Sequence, residues 1–138
     1  MPASENFYSL LFEVSNEIRH RILLLLQRKA MRITEIAKEQ DLNHPEIRRH
    51  ITRLSDIGLI ERDVDGYYHL TPYGETAILL FQEFEFLSAN SEYFETHSLS
   101  GVPTRYVKRI GELGESTYLR NAMDFFRYME NLFKESKE

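Results

Sequence analysis

Arginine side chains concentrate in a short segment, residues 43–54, of this 138-residue chain. In that segment Ile47, Ile51 and Leu54 recur at steps of four and three, so they lie on one stripe of a predicted helix. The other side of this helix carries Pro45, Arg49 and Thr52, flanked by Arg48 and Arg53. A helix with a buried apolar stripe and a basic outer side has the shape and charge to lie in the major groove of DNA.

Each of these polar side chains has a chemistry suited to that groove. Arginine donates two hydrogen bonds to guanine, so Arg48 or Arg49 is expected to contact a base. Arg53 lies a turn further on and is expected to contact a phosphate, while Thr52 fits a thymine methyl group or a phosphate. Asp56 at the far end of the helix would repel the DNA backbone, so only the first half of the helix is expected to enter the major groove. The alternative is a solvated helix face with local ion pairs.

The five histidines do not indicate a metal centre. His44 is interpreted either as a DNA contact or as a simple turn residue, and His50, between the two faces, as a structural residue. His20, His69 and His97 lack metal-ligand spacing. Cysteine is absent, which excludes thiolate catalysis and cysteine-bound metals. No nucleophile–base pair or phosphate loop is recognisable, so we expect neither an enzyme nor a cofactor.

Charge is distributed unevenly along the chain, whose formal net charge is −5. Residues 19–53 hold nine Lys and Arg against four Asp and Glu, a balance of +5. Residues 54–104 hold one basic residue against nine acidic ones, a balance of −8. Because phosphate affinity depends on the local patch, the acidic total does not exclude DNA binding.

The elements around the basic helix are predicted from periodicity and capping signals. Helices are expected at 5–14 and from Ser15 or Asn16 to about Gln27, and Thr34 is expected to cap the next helix. Asn43 is a suitable cap for the basic helix, with Glu46 three residues on, and Gly58 a suitable end. Two strands, 59–62 and 67–70, flank an Asp65–Gly66 turn. Thr71–Pro72 then opens a helix over about 73–90.

Apolar surface is in excess at both ends of the chain. The helix over 73–90 has one apolar face with Ala77, Leu80, Phe81, Phe84 and Leu87 and another with Leu79 and Phe86. A last helix, from about Ser116, carries a heptad-like seam that includes Phe125 and Met129. These surfaces predict a homodimer through Phe7, Leu11, Leu79, Phe86, Phe125 and Met129. The aromatic cluster at 81–94 is interpreted as a dimer core, with a ligand pocket as the alternative.

The order of these segments resembles a known family. The segments ITEIAKEQ, NHPEIRRHITRL, SDIGLIERD and YYHLTPYGE, in that order, resemble archaeal winged helix-turn-helix transcription regulators of the arsenic-repressor-like type. LTPYGETA, FEFLSANSEYFETHSLSGVP and RIGELGES are similar to the N-terminal part of the group typified by regulators of methanogenesis. The resemblance implies a recognition helix at 43–54 and a wing at 63–68. In that group a larger C-terminal regulatory domain follows, so no effector can be named from this chain.

These observations predict a mainly α fold with a small β-hairpin wing, a winged helix-turn-helix over 1–72 and a helical dimerisation extension over 73–138. The expected function is a homodimeric, sequence-specific transcription regulator on an inverted repeat of double-stranded DNA. No stretch approaches the roughly 18 apolar residues of a membrane span, so a cytoplasmic location is expected. The acidic wing, with Asp63 and Asp65, favours the alternative of a protein-binding winged-helix adaptor. The full set of expected DNA contacts is Thr34, Asn43, His44, Pro45, Glu46, Arg48, Arg49, Thr52, Arg53, Arg62 and Tyr67.

Overall fold

The computed structural model describes residues 5–101 and residue 127. Apart from residue 127, the helix expected from about Ser116, with Phe125 and Met129, therefore lies outside the described residues. The chain divides into two compact units, one ending at Ile78 and one beginning at Leu79.

Four helices precede the hairpin in the first unit. They are α1 (Glu5–Val14), α2 (Glu17–Arg28), α3 (Ile33–Gln40) and α4 (His44–Asp56). The side chain of Asn16 caps α2 by accepting a hydrogen bond of 3.0 Å from the backbone N–H of Arg19. This cap satisfies one of the backbone donors that every helix N-terminus leaves free.

The predicted cap at Thr34 is wrong. Helix α3 begins at Ile33, so Thr34 lies within its first turn. Arg32 is extended and ends a short strand, which moves the entry into the helix upstream of the expected position. The carboxylate of Glu35 accepts a 3.3 Å hydrogen bond from the backbone N–H of Arg32. Glu35 thereby serves as the side-chain cap of this helix in place of the Thr34 hydroxyl.

A tight turn joins α3 to α4. Asp41 adopts a left-handed conformation with φ 52°, and the N–H of Leu42 donates to the carbonyl of Ala37 at 3.2 Å. The side chain of Asn43 then accepts from the N–H of Glu46 at 3.0 Å, as the sequence predicts. Such a cap contributes about 1 kcal/mol to the free energy of unfolding.

The sheet has three antiparallel strands rather than the two of the predicted hairpin. β1 (Met31–Arg32) pairs with β3 (Tyr67–Leu70), which also pairs with β2 (Ile60–Arg62). The register places Arg32 opposite Tyr67 and Arg62 opposite Tyr68. A strand of two residues shows no alternation of apolar and polar positions, so periodicity alone does not detect β1.

The hairpin turn is built by its own polar side chains. Gly66 has φ +90°, a conformation that glycine adopts without strain, as expected for Asp65–Gly66. The carboxylate of Asp63 accepts hydrogen bonds of 2.9 Å from the N–H groups of Asp65 and Tyr67. Asp63 is therefore a turn-forming residue as well as a charge at the wing tip.

A single apolar core holds the helix-turn-helix and the sheet together. Ile47, Ile51 and Leu54 of α4 are each 2% exposed or less, as their spacing predicts. The other buried apolar residues of this unit are Val14, Ile22, Leu23, Leu26, Met31, Ile36, Ala37, Leu59, Ile60, Leu70, Ala77 and Ile78. Burying one such large side chain contributes about 1.5–3 kcal/mol, so the orientation of α4 is fixed by its inner stripe.

Helix α5 (Pro72–Ala89) starts as predicted, with Thr71 as its cap. The hydroxyl of Thr71 accepts from the N–H of Gly74 at 3.1 Å and donates to the carbonyl of Gly58 at 2.6 Å. The cap thereby ties the first turn of α5 to the segment that follows α4.

The second unit contains the remainder of α5 and a short helix, α6 (Ser91–Thr96), which sequence analysis did not predict. Phe86 is 1% exposed and its ring meets that of Phe94 edge-on at 6.2 Å. The interpretation of Phe86 as a dimer contact is therefore wrong, because its side chain offers no surface to a partner. In the part of α5 that belongs to this unit, Leu79, Leu80, Phe84 and Leu87 are exposed. Within residues 5–101, no helix is long and apolar enough to cross a membrane.

Candidate nucleic-acid interface

The outer face of α4, defined here as Pro45, Arg48, Arg49 and Thr52, is exposed to solvent along its whole length. Among the described residues, neither Arg48 nor Arg49 lies within ion-pair distance of a carboxylate. His44 at the start of the helix is also exposed, whereas His50 is 6% exposed. Within the described part of the chain, Arg48 and Arg49 are therefore unpaired on a helix whose other side is anchored in the core.

Arg53 differs from the other arginines of α4, because α1 engages it. Its Nε and Nη2 donate to the two carboxylate oxygens of Glu13 at 3.0 and 2.7 Å. Its guanidinium also lies over the ring of Phe12, 5.4 Å from the ring centre. The hydrogen bond with Glu13 raises the pKa of Arg53 above its ordinary value. A phosphate that approaches Arg53 thus competes with Glu13 for its Nε–H and one Nη2–H, while the other N–H donors of the guanidinium lie outside the pair.

Glu13 also anchors a buried polar network behind the helix. Arg19 is 5% exposed, and its Nε donates to the carbonyl of Glu13 at 2.7 Å and lies 3.1 Å from that residue's carboxylate. Its Nη1 lies 3.2 Å from Nδ1 of His50. Burial lowers the pKa of Arg19, against the opposing effect of Glu13. These contacts link α1, α2 and α4, and give His50 the structural role that the sequence predicts.

Acidification is expected to weaken the fold through His50. Burial, followed by the charges of Arg19, Arg49 and Arg53, lowers the pKa of His50 below its ordinary value, against an opposite effect of Glu46. The unfolded chain therefore takes up this proton more readily than the folded one. The resulting stability is complete above the ordinary pKa of about 6.5 and is lost as pH falls below it.

Urea unfolding of the wild type and of His50→Gln tests this expectation. The difference in free energy of unfolding between the two proteins should shrink as pH is lowered from about 7.5 to about 5.5. His44→Gln, at an exposed position, is the control and should retain the wild-type dependence. Parallel pH profiles for the wild type and His50→Gln would contradict the assignment.

A cleft separates α4 from the hairpin. It has a volume of about 420 Å³ and is lined by Arg32, Ile33, Thr34, Arg48, Arg62, Asp65, Gly66 and Tyr68. Three of the predicted contacts, Thr34, Arg48 and Arg62, are brought together here. Arg32 was not identified from the sequence, because its place beside them depends on strand β1.

The remaining predicted contacts are dispersed around this surface. Asn43 and Pro45 are exposed, Glu46 is partly buried, and the side chain of Asn43 is occupied as a helix cap. Tyr67 is partly buried beneath the guanidinium of Arg32, which lies 4.8 Å from its ring centre. At the hairpin tip, Val64 is fully exposed, an apolar position that the sequence analysis did not single out.

Comparison with known proteins agrees with this architecture. A family model described as winged helix-turn-helix matches residues 14–88, more than half of the chain. An uncharacterized HTH-type transcriptional regulator of Methanocaldococcus jannaschii, MJ0229, is 39% identical over 51 residues. The match covers 37% of this chain and 54% of that regulator, so the chain spans about half the length of this curated relative.

Among solved structures, an ArsR family transcriptional regulator superposes with a TM-score of 0.50 at 22% identity. The match covers 71% of this chain and all of that one, and it shows a shared fold. This chain belongs to the winged helix-turn-helix family, which confirms the winged helix-turn-helix resemblance identified from its segments. That family is not an enzyme family, and residues 5–101 contain no cluster of three or more metal-ligating side chains.

Proposed function

We propose that this protein is a sequence-specific, DNA-binding transcription regulator whose helix α4 enters the major groove. The observation that carries the proposal is the outer face of α4, where Arg48, Arg49 and Thr52 are exposed while Ile47 and Ile51 anchor the helix. A fixed helix with unpaired arginines can donate to guanine edges or phosphate oxygens without first breaking an ion pair. The name of the regulator MJ0229 supports the same function, and a role on chromosomal DNA agrees with the expected cytoplasmic location.

The protein is proposed to bind an inverted repeat as a homodimer. Phe7 and Tyr8 of α1 are 47% and 64% exposed, and Leu79, Leu80, Phe84 and Leu87 of α5 are also exposed. Leu11, the other predicted contact on α1, is partly buried. Apolar surface of this kind is commonly covered by a partner. Two recognition helices about 34 Å apart would then enter successive major grooves.

Sedimentation at micromolar concentration tests the dimer separately from DNA binding. The wild type should sediment as a dimer, and Phe84→Glu combined with Leu80→Glu should shift it toward monomer because charge disfavours an apolar interface. A monomer both with and without DNA would contradict the dimer proposal.

DNA binding itself is tested by selecting bound sites from a random duplex pool. A recurring motif with two inverted halves is expected, and the logarithm of its binding constant should fall linearly with the logarithm of salt concentration. When the salt concentration is raised, only duplexes that contain the motif should remain bound.

A protein-binding adaptor is the second candidate, favoured by acidic residues at the wing. Asp65 lines the cleft, and Asp63 carries a charge at the turn. Absence of any mobility shift on mixed duplex fragments at low salt would favour this adaptor over the regulator.

Releasing Arg53 is expected to strengthen DNA binding. In Glu13→Gln the bidentate ion pair becomes a neutral contact, so the guanidinium of Arg53 becomes available to phosphate. Affinity at low salt should rise, and the salt slope should steepen by about one unit. The matched control is Glu17→Gln, which removes an exposed pair with Arg21 at 2.6 Å and should have little effect. Because Glu13 also pairs with the buried Arg19, the thermal midpoint of Glu13→Gln is measured beside its affinity. Equal affinities for the two variants, with both proteins folded, would show that Glu13 does not restrain Arg53.

A further inference from the structure

We infer that the cleft between α4 and the hairpin is a binding site for a phosphodiester group of the DNA backbone, and that Arg32, Arg48 and Arg62 form this phosphate site. This inference rests on the proposed function, and it names the part of the DNA that this second surface contacts. It also gives a binding role to Arg32, which lies outside the recognition helix and the wing.

The cleft brings together cations from three separate elements. Arg32 belongs to β1, Arg48 to α4 and Arg62 to β2, and all three line the same space of about 420 Å³. Among the described residues, none of the three lies within ion-pair distance of a carboxylate. By contrast, Arg19, Arg21 and Arg53 are each paired with a glutamate. Three arginines without an ion-pair partner among the described residues therefore meet at the cleft, whereas Arg28 and Arg49, which also lack such a partner there, lie outside its lining.

Two of these arginines are held in place by their neighbours. The guanidinium of Arg32 stacks over the ring of Tyr67 at 4.8 Å, directly across the strand pair. The side chain of Arg62 folds back over the turn, so that a Cβ added at Gly66 would lie 3.4 Å from its Nη2. Restrained side chains lose less conformational freedom on binding, which favours a defined phosphate site over a diffuse basic surface.

The charge of the cleft suits a single phosphodiester. Asp65 is the one carboxylate residue among its lining residues, so three positive charges and one negative charge leave a balance of +2. One phosphodiester contributes −1 and its contact releases condensed counterions. Arginine also binds phosphate oxygens through paired N–H donors, which a lysine cannot reproduce.

The shape of duplex DNA explains why the site lies at this position. The sugar–phosphate backbone forms the ridge that separates the major groove from the minor groove. If α4 occupies a major groove, the backbone that borders this groove on the hairpin side faces the cleft. The cleft is larger than one phosphate group, so it also has room for the flanking sugars.

The test combines protein variants with neutral backbone substitutions in the DNA. Arg32→Ala and Arg62→Ala are compared with Arg21→Ala, an exposed arginine of α2 that removes the same charge outside the cleft. The wild type and each variant are then titrated with a series of selected duplexes. In each duplex of the series a single phosphate, at a different position, is replaced by an uncharged methylphosphonate. Affinity for the unmodified duplex, its salt slope and retention of sequence preference are measured together.

We expect the wild type to lose affinity when one phosphate in each half-site is neutralised. Arg32→Ala and Arg62→Ala should weaken binding to all sequences, lower the salt slope by about one unit and lose sensitivity to that phosphate. Arg21→Ala should keep that sensitivity. If the wild type binds DNA but all three variants keep the same salt slope and methylphosphonate profile, the assignment of the phosphate site is wrong while the proposed function stands. If the wild type binds no duplex, the proposed function fails first.

A free anion is the other source of the same chemistry. Inorganic phosphate titrated into the isotopically labelled protein, with arginine Nε–H signals recorded, distinguishes the two sources. Weak, non-saturating shifts at Arg32 and Arg62 are expected, because one isolated anion lacks the rest of the duplex. Saturable binding of inorganic phosphate, together with no methylphosphonate effect, would overturn the assignment of the phosphate site to the DNA backbone.

Discussion

Replacing Arg48 and Arg49 together with alanine is expected to remove specific DNA binding while leaving the fold intact. A base contact by Arg49 contributes about 1–3 kcal/mol to binding and a charge-assisted phosphate contact by Arg48 about 1.5–3 kcal/mol, so the loss of both should cost at least about thirtyfold in affinity. Both side chains are exposed and unpaired within the described residues, so their removal leaves no buried partner unsatisfied. The thermal midpoint should therefore remain close to that of the wild type.

The matched control removes the same charge elsewhere. Arg21→Ala combined with Arg28→Ala deletes two exposed arginines of α2. Fluorescence anisotropy with a selected duplex across a salt series separates the two cases. Equal affinity and equal salt slope for both double variants would indicate that net charge, and not the outer face of α4, governs binding.

Arg48 and Arg49 are expected to affect DNA binding differently when each is replaced singly. Arg48 lines the cleft and is assigned to the backbone, whereas Arg49 does not line it. Arg48→Ala should weaken binding to all duplexes alike, and Arg49→Ala should relax the preference at one base pair of each half-site. Repeating the site selection with each variant measures this difference directly, and an unchanged motif for Arg49→Ala would contradict the base contact.

A second large effect is expected at Gly74, where α5 meets the start of the hairpin. A Cβ at this position would lie 2.1 Å from the carbonyl oxygen of Leu59 and 3.3 Å from Cδ2 of Leu70. Because the nearest atom belongs to the backbone, the first turn of α5 must move. Gly74→Ala should lower the free energy of unfolding by about 1–3 kcal/mol, despite a gain of roughly 1 kcal/mol in helix propensity.

Gly101→Ala is the matched control, since a Cβ there meets nothing within 4 Å. Urea unfolding of the two variants separates close packing from the general effect of replacing glycine. A stabilised Gly74→Ala protein would show that the gap between α5 and Leu59 opens readily, and that α5 is not fixed at this point.

Periodicity and capping predicted most of the first unit because those signals are local. The spacing of Ile47, Ile51 and Leu54 determines which side of α4 is buried, and therefore which side is exposed. Asn43 and Thr71 were recognised as caps because each places an oxygen near donors three residues ahead. The same reasoning misplaced the start of α3, since Arg32 enters the helix from a strand that pairs with a distant segment.

The features of the site that the sequence did not predict depend on contacts between residues far apart in sequence. Arg53 and Glu13 are 40 positions apart, so no local pattern indicates that α1 engages this arginine. Arg32 reaches the cleft only because β1 pairs with β3. Phe86 has the apolar character of an interface residue, but it is buried within one chain where its ring meets Phe94. In each case a tertiary partner decides whether the side chain is available.

The outer face of α4 is proposed to meet the major groove, and the cysteine-free chain permits a direct test of this contact. A DNA-cleaving iron chelate is attached through Thr52→Cys, and the selected duplex is cut and sequenced. We predict cuts confined to the bases within each half-site, in two clusters about one helical turn apart. The same reagent at Arg21→Cys should give no such clusters. Absent or evenly spread cutting from position 52, in a complex that still forms, would contradict the account.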